Sequence, residues 1–448
     1  MVKDKDFYKT LAKLALPVAL QQLISLCVVM LDNVMVASLG DLALSSVSQA
    51  NQVTVFFTFI VRGVSGGAAL MISQYWGKKD VERIKQIFAV IFQVTGLIAL
   101  AVNIFVFFCP TVVLRFFTND ADIISSAQGY IRIVSFSYSL FALADTFAAM
   151  LRCVEIVKIT FAVSVFSLFT NLFFNYSLIG GNFGFPALGI EGAAIATVIS
   201  RGLELAIVMV FFFCIQKRIP AKPIDLFRVD KLMYKDYAKY GLPILIGDIQ
   251  WGMVGVFKSV IIGRLGVSMI SAANIADTIM QLGLIFSNGL ASAACVVIGK
   301  TVGVKNYDLT RKYSTTIQII FVGVGVVMSS MVFLLRDPFV SLYDVSSETS
   351  TLAAQLIAIG AITLLGTSYH VACFTGINRG AGDSKFVFKV DMICGWLVML
   401  PLSFLTAFVF KAPLPVIFIA TRIDQCFKWI VALIRLKGNK WITNIVRE

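Results

Sequence analysis

Between Leu97 and Phe108, and again between Ile317 and Leu335, the chain carries no charged residue, and both stretches lie within longer apolar blocks. Such blocks recur along the whole length. They are continuously apolar rather than apolar at one face of a helix. Crossing roughly 30 Å of hydrocarbon takes about 20 apolar residues, and a backbone in lipid must satisfy its own polar groups, which a helix does. The chain is therefore expected to be an all-α membrane protein. Composition points the same way. Of 448 residues, 58% are hydrophobic and 14% charged, where soluble domains carry about 25% charged residues. A string of soluble domains, which length alone would suggest, is excluded.

About twelve transmembrane helices are expected, at 11–39, 49–73, 86–110, 125–150, 157–180, 187–215, 237–265, 270–298, 314–335, 350–375, 386–410 and 413–435. Turn chemistry punctuates them, as at Leu39-Gly40-Asp41, Trp76-Gly77-Lys78 and Gly180-Gly181-Asn182. The net charge of +13 sits in the connectors. It reads as membrane topology and not as a nucleic-acid footprint. One side takes Lys3, Lys5, Lys9 and Lys13, then Lys78 to Lys85, the 216–236 connector, Lys300 to Lys312, Arg379 to Lys389 and the tail. The other side has only Arg115, Arg264, Arg336 and Lys411. Both termini are accordingly expected in the cytoplasm, with the chain multi-pass in the plasma (inner) membrane. The eight cysteines form no C-x-x-C and read as free, buried thiols. A charged Met1–Lys13 segment and a long first apolar block argue against a cleavable signal peptide.

The chain repeats itself. A shift of 226 residues lays Leu16-Pro17 on Leu242-Pro243, Leu39-Gly40 on Leu265-Gly266, Gly63 on Gly289 and Gly77 on Gly303. With one residue added, Arg152 falls on Arg379 and Lys158 on Lys385. The expected organisation is an N-terminal six-helix bundle over 1–215, a cytoplasmic linker over 216–236, and a C-terminal six-helix bundle with its tail over 237–448. Six spans per half keep both halves in one orientation. That places a pseudo-two-fold axis along the membrane normal, the parallel-repeat plan of alternating-access transporters. No loop of either half looks like a re-entrant filter, which disfavours a channel.

Leu16-Pro17, Asp32-Asn33-Val34-Met35-Val36, Leu39-Gly40 and Ile72-Ser73-Gln74-Tyr75-Trp76-Gly77 stand in the first half. Gly241-Leu242-Pro243, Asn378-Arg379-Gly380-Ala381-Gly382-Asp383 and the tail from Arg435 to Trp441 stand in the second. In order and spacing these resemble the multidrug and toxic compound extrusion (MATE) family of secondary transporters, over nearly the whole chain. The resemblance implies two six-helix bundles around a V-shaped cavity. It also implies antiport of cationic or amphiphilic organic compounds against Na⁺ or H⁺. The alternative reading is a lipid-linked oligosaccharide flippase of a related superfamily branch, which would need a strongly cationic central cavity.

Asp32 is the sharpest candidate, a carboxylate in the outer half of the first span, beyond a helix kink expected at Pro17. A charge there is costly and marks a pathway or a partnered site. It can take a proton, or hold Na⁺ beside other oxygens. It also matches the cation-site aspartate that the resemblance implies. Asn171 and Asn175, four apart on one helix face, and Thr197 match further positions of that site. Asn175 departs from the aspartate found in many members. Without the resemblance the asparagines read as interhelical hydrogen-bond glue. Arg201 and Glu204, three apart, read as an internal ion pair, and His370 as a packed neutral imidazole. Arg62 either holds Asp32 charged or lines the cavity. In the repeat register Asp32 falls on Lys258, so an ammonium occupies the position equivalent to the carboxylate and excludes an equivalent cation site there. Asp248 or Asp277 could partner Lys258 within the bundle; the alternative is that Lys258 snorkels to the outer headgroups, since Leu265-Gly266 is close. No nucleotide-binding loop or paired nucleophile and base occurs in the sequence. The chain is expected to be no enzyme, to need no cofactor beyond the coupling ion, to bind no nucleic acid, and to work as a monomer in membrane lipid.

Overall fold

The computed structural model describes residues 2–343, 345–438 and 440–447, and among them no β-strand forms. The principal helices are α1 (Lys5–Ala37), α2 (Asp41–Lys78), α3 (Val81–Phe108), α4 (Ala121–Cys153), α5 (Lys158–Gly180) and α6 (Gly189–Ile215). There follow α7 (Leu242–Gly263), α8 (Val267–Gly303), α9 (Tyr307–Leu334), α10 (Ser347–Asn378) and α11 (Ser384–Val409). Among the described residues these eleven are long and apolar enough to cross a membrane.

The twelfth expected span, 413–435, is not one helix. It is broken into α12 (Leu414–Ala420) and α13 (Ile423–Lys437). At the break, Thr421 turns its hydroxyl back onto the Phe418 carbonyl, and the Arg422 side chain reaches Asp277 on α8 at 2.6 Å. The break thus falls at a polar pair, one member of which is held by a neighbouring helix. Through Pro17, by contrast, α1 runs on as one helix.

The helix ends reproduce the repeat. The Asp80 side chain accepts from Arg83 N and opens α3, while Asn306 accepts from Leu309 N and opens α9. Asp120 opens α4 by accepting from Asp122 N and Ile123 N, and Ser346 opens α10 by accepting from Thr349 N. Both are side-chain N-caps that satisfy otherwise orphaned donors, and both pairs stand 226 residues apart. Gly40 and Gly266 turn the chain with φ of 104° and 103°, a conformation that only glycine takes without strain. Lys79 and Lys305 share the left-handed region at 62° and 59°.

The chain forms two compact units. One comprises Leu20–Ile72 and Asp80–Lys239; the other comprises Met1–Ala19, Ser73–Lys79 and Tyr240–Glu448. The 216–236 connector thus falls within the first of these, and the division of α1 comes just after Pro17. The first unit packs Val47, Phe57, Ile131, Tyr138 and Ala194 into its core, and the second packs Ala272, Ala276, Leu356, Ile357 and Phe418.

Candidate functional site

In the unit holding residues 20–72 and 80–239, α1 and α5 bring Asp32 to the asparagine pair. Asn175 donates its amide Nδ2 to Asp32 Oδ1 at 2.5 Å and to Asn171 Oδ1 at 3.1 Å. Helical spacing of four residues puts both asparagines on one face. Both are buried, and Asn175 Oδ1 has no hydrogen-bond partner. Asp32 forms no ion pair among the described residues. The result is a carboxylate supported by a neutral donor, with an uncommitted amide oxygen beside it. Rotating that amide would exchange donor for acceptor. Such a group can serve a carboxylate, a protonated carboxyl or a coordinated cation in turn.

Thr197 donates its hydroxyl to Ala193 O of its own helix at 3.0 Å, and no hydrogen bond among the described residues links it to Asp32, Asn171 or Asn175. Arg201 on α6 pairs with Glu204 at 2.6 Å and packs over the Phe141 ring. Arg62 on α2 is exposed and makes no ion pair among the described residues.

In the other unit, Lys258 reaches Asp277 at 3.4 Å, and Arg422 meets the same carboxylate at 2.6 Å. Asp248 is taken instead by Arg379, which grips it through two hydrogen bonds. Sequence reading had grouped Arg379 with the surface cations, but its side chain is turned inward. His370 places Nδ1 3.1 Å from the Gly366 carbonyl, which fixes the proton on that nitrogen.

One cluster escaped the sequence reading. Lys428 on α13 is fully buried between Asp391 at 2.9 Å and Asp424 at 3.1 Å, and its Nζ lies 4.0 Å from the centre of the Trp251 ring. The signal was available: Asp424 and Lys428 stand four apart in an apolar block, the spacing of a helical ion pair. Asp145 was also passed over. It accepts from Ser65 Oγ at 2.6 Å and from Arg152 at 3.4 Å.

Comparison with known proteins places these residues in context. The family profile described as MatE matches residues 17–177 and again 243–405, so the two matches begin at the positions that the 226-residue shift superposes. The chain is 24% identical over 98% of its length to the uncharacterized transporter YisQ of Bacillus subtilis, covering 96% of that protein. It is 24% identical over 97% of its length to the probable multidrug resistance protein NorM of Thermotoga maritima, covering 93% of it. Among solved structures, the eukaryotic MATE transporter AtDTX14 superposes with a TM-score of 0.87 at 19% identity, over 97% of this chain and 96% of that one. A MOP superfamily transporter from Pyrococcus furiosus, described as having a binding pocket of reverse polarity, gives 0.85 at 15% identity over 96% and 97%.

Proposed function

This chain belongs to the MatE family, and from that membership we propose that it is a secondary active multidrug exporter. It carries cationic or amphiphilic organic compounds out of the cell against Na⁺ or H⁺ by alternating access. Family members are transporters and not enzymes, and this chain is a multi-pass membrane protein. In our reading it lies in the plasma (inner) membrane as a monomer with both termini cytoplasmic. Residues 1–215 and 237–448 act as the two repeats, and the coupling ion is the only small inorganic species required.

The observation that carries the proposal is the Asp32–Asn175–Asn171 chain. An intramembrane carboxylate with no counter-ion is an unfavourable arrangement unless a proton or cation visits it. Asn175 donates to Asp32, the arrangement that suits a charged carboxylate. When a cation or proton arrives, turning the amide presents Oδ1 in its place. A proton needs only Asp32. Na⁺ prefers several oxygens, which Asp32, Asn171 and Asn175 would supply. Thr197 could add a further oxygen, since its hydroxyl keeps its lone pairs while donating to Ala193 O.

The flippase alternative is not favoured. It requires a cluster of free cations to hold pyrophosphate, yet Lys258 and Arg422 are committed to Asp277, Arg379 to Asp248, Arg201 to Glu204, and Lys428 to Asp391 and Asp424, which of the cations named for that reading leaves Arg62 alone without an ion pair among the described residues. Efflux of a fluorescent cationic dye from vesicles under imposed Na⁺ or H⁺ gradients tests the proposal. Transport indifferent to both gradients would refute ion coupling.

A further inference from the structure

The connector that follows α6 is the most basic stretch between helices. From 216 to 239 it holds Lys217, Arg218, Lys222, Arg228, Lys231, Lys235 and Lys239 against Asp225, Asp230 and Asp236. It does not hang free in water. Gln93 on α3 donates Nε2 to Leu226 O at 2.8 Å and accepts from the Tyr234 hydroxyl, and Arg218 donates to Val154 O. Leu226, Met233 and Tyr237 are buried on the inner side of the segment.

That anchoring sets its depth. Gln93 precedes the Phe108 end of α3 by 15 residues, or about 22 Å of helix at roughly 1.5 Å per residue. With the Phe108 end of α3 set at the far face of a hydrocarbon core about 30 Å thick, Gln93 falls inside the apolar slab near the face that bears the connector. The Pro223–Phe227 turn bonded to it therefore sits at the boundary between acyl chains and headgroups. Two apolar side chains of this turn point outward, Ile224 with 51% and Phe227 with 70% of their surface exposed. Exposed cations flank the turn in the chain, Lys222 and Arg228 next to it and Lys231 and Lys235 on the short helix Lys231–Tyr240 that follows. Lys222, Arg228, Lys231 and Lys235 form no ion pair among the described residues.

Outward apolar side chains at the acyl boundary, flanked in the chain by exposed cations, have the chemistry of an interfacial lipid-binding element. We propose that the connector is a binding site for anionic phospholipid in the leaflet on its own side. Ile224 and Phe227 insert among the acyl chains. Lys222, Arg228, Lys231 and Lys235 gather the headgroup phosphates. A zwitterionic headgroup returns a positive charge to these cations and gains less. A soluble phosphate lacks the chains that Ile224 and Phe227 require.

The test uses the full chain purified in neutral detergent, with bound lipid counted by native mass spectrometry in mixtures of phosphatidylglycerol and phosphatidylcholine. Wild type should retain phosphatidylglycerol preferentially, and glycerol phosphate at equal concentration should not displace it. Neutralising Lys222, Arg228, Lys231 and Lys235 to Gln should abolish the preference, each change weakening retention by about fivefold. Ile224→Ser with Phe227→Ser should reduce retention of both lipids. Arg311→Gln with Lys312→Gln, at exposed cations elsewhere on the same side, should change nothing. All these positions are exposed, and elution as a single species confirms folding. Equal retention of the two lipids by wild type, displacement by glycerol phosphate, or an unchanged preference in the four-fold variant would each overturn the proposal. None of these readouts involves transport, so failure of the exporter reading would leave the result intact.

Discussion

Gly77 lies so close to Lys300 that a Cβ on it would meet the Lys300 carbonyl oxygen at 2.2 Å, and Gly303 stands in the same relation to the Gln74 carbonyl at 1.9 Å. The two contacts interchange under the 226-residue shift, so one contact is made twice. Gly299 and Ser73, themselves equivalent, face each other between them, and a Cβ on Gly299 would meet Ser73 Oγ at 2.1 Å. The ends of α2 and α8 thus cross through their glycines. The Gln74 side chain then reaches past the crossing to Gly380 O, Thr443 O and Ile445 N, tying the tail to it.

Gly77→Ala or Gly303→Ala should disrupt this crossing, because the obstacle is backbone and cannot rotate away. Overpacking of this kind costs about 1–3 kcal/mol. Thermal unfolding in detergent should show a lowered Tm, and cysteines introduced beside Gln74 should become more reactive to thiol reagents. Gly255→Ala, where the added carbon meets nothing within 4 Å, is the control and should stay near wild type.

Asn175→Ala removes the donor to Asp32 and the bond to Asn171. A hydrogen bond to a charged group contributes about 1.5–3 kcal/mol, so the occupancy of the Asp32 site should shift by at least about tenfold. If Na⁺ couples transport, losing Oδ1 as a ligand of the bound ion should outweigh losing the donor to the empty carboxylate, and the Na⁺ concentration for half-maximal efflux should rise. If H⁺ couples it, the pH profile should move and the Na⁺ dependence should be absent. An unchanged dependence on both ions would remove Asn175 from the site.

Lys428→Met leaves Asp391 and Asp424 buried without their shared cation. Breaking a buried ion pair from one side typically costs about 3–5 kcal/mol, and expression and Tm should fall accordingly. Adding Asp391→Asn and Asp424→Asn should recover much of the loss, since the uncompensated charge goes with them. A triple variant no better than Lys428→Met would show that the cluster acts through packing alone.

Lys258→Met should leave ion coupling through Asp32 in place and create no second site, because Arg422 still holds Asp277. Ion-to-substrate stoichiometry in reconstituted vesicles reads this directly. Transport by Lys258→Met with Asp32 also removed would show a cation site in the second half and end the asymmetric account.

The repeat was legible because it is carried by glycines and prolines at turns and helix starts, where backbone conformation constrains residue type. Gly40 and Gly266 adopt nearly the same φ. Asp32 stood out because a carboxylate in an apolar block has few bland explanations. What the sequence concealed is tertiary choice among partners. Lys258 had two candidate carboxylates, and it is Asp277 that lies beside it, while Arg379 holds Asp248. Thr197 stands at a position implied by the resemblance, yet its hydroxyl spends its donor on its own helix. The break at Thr421–Arg422 lies in a block whose mean is apolar although Arg422, Asp424 and Lys428 fall within it, and the carboxylate that Arg422 meets stands on α8.

The central claim, that Asp32 carries the coupling ion, is tested most directly by dye efflux from vesicles holding either wild type or Asp32→Asn at equal density. Na⁺ and H⁺ gradients would be imposed one at a time. Wild type should expel dye under one of the two gradients, and Asp32→Asn, still folded and membrane-inserted, should show no gradient-driven efflux under either. Efflux by Asp32→Asn at the wild-type rate would contradict the account.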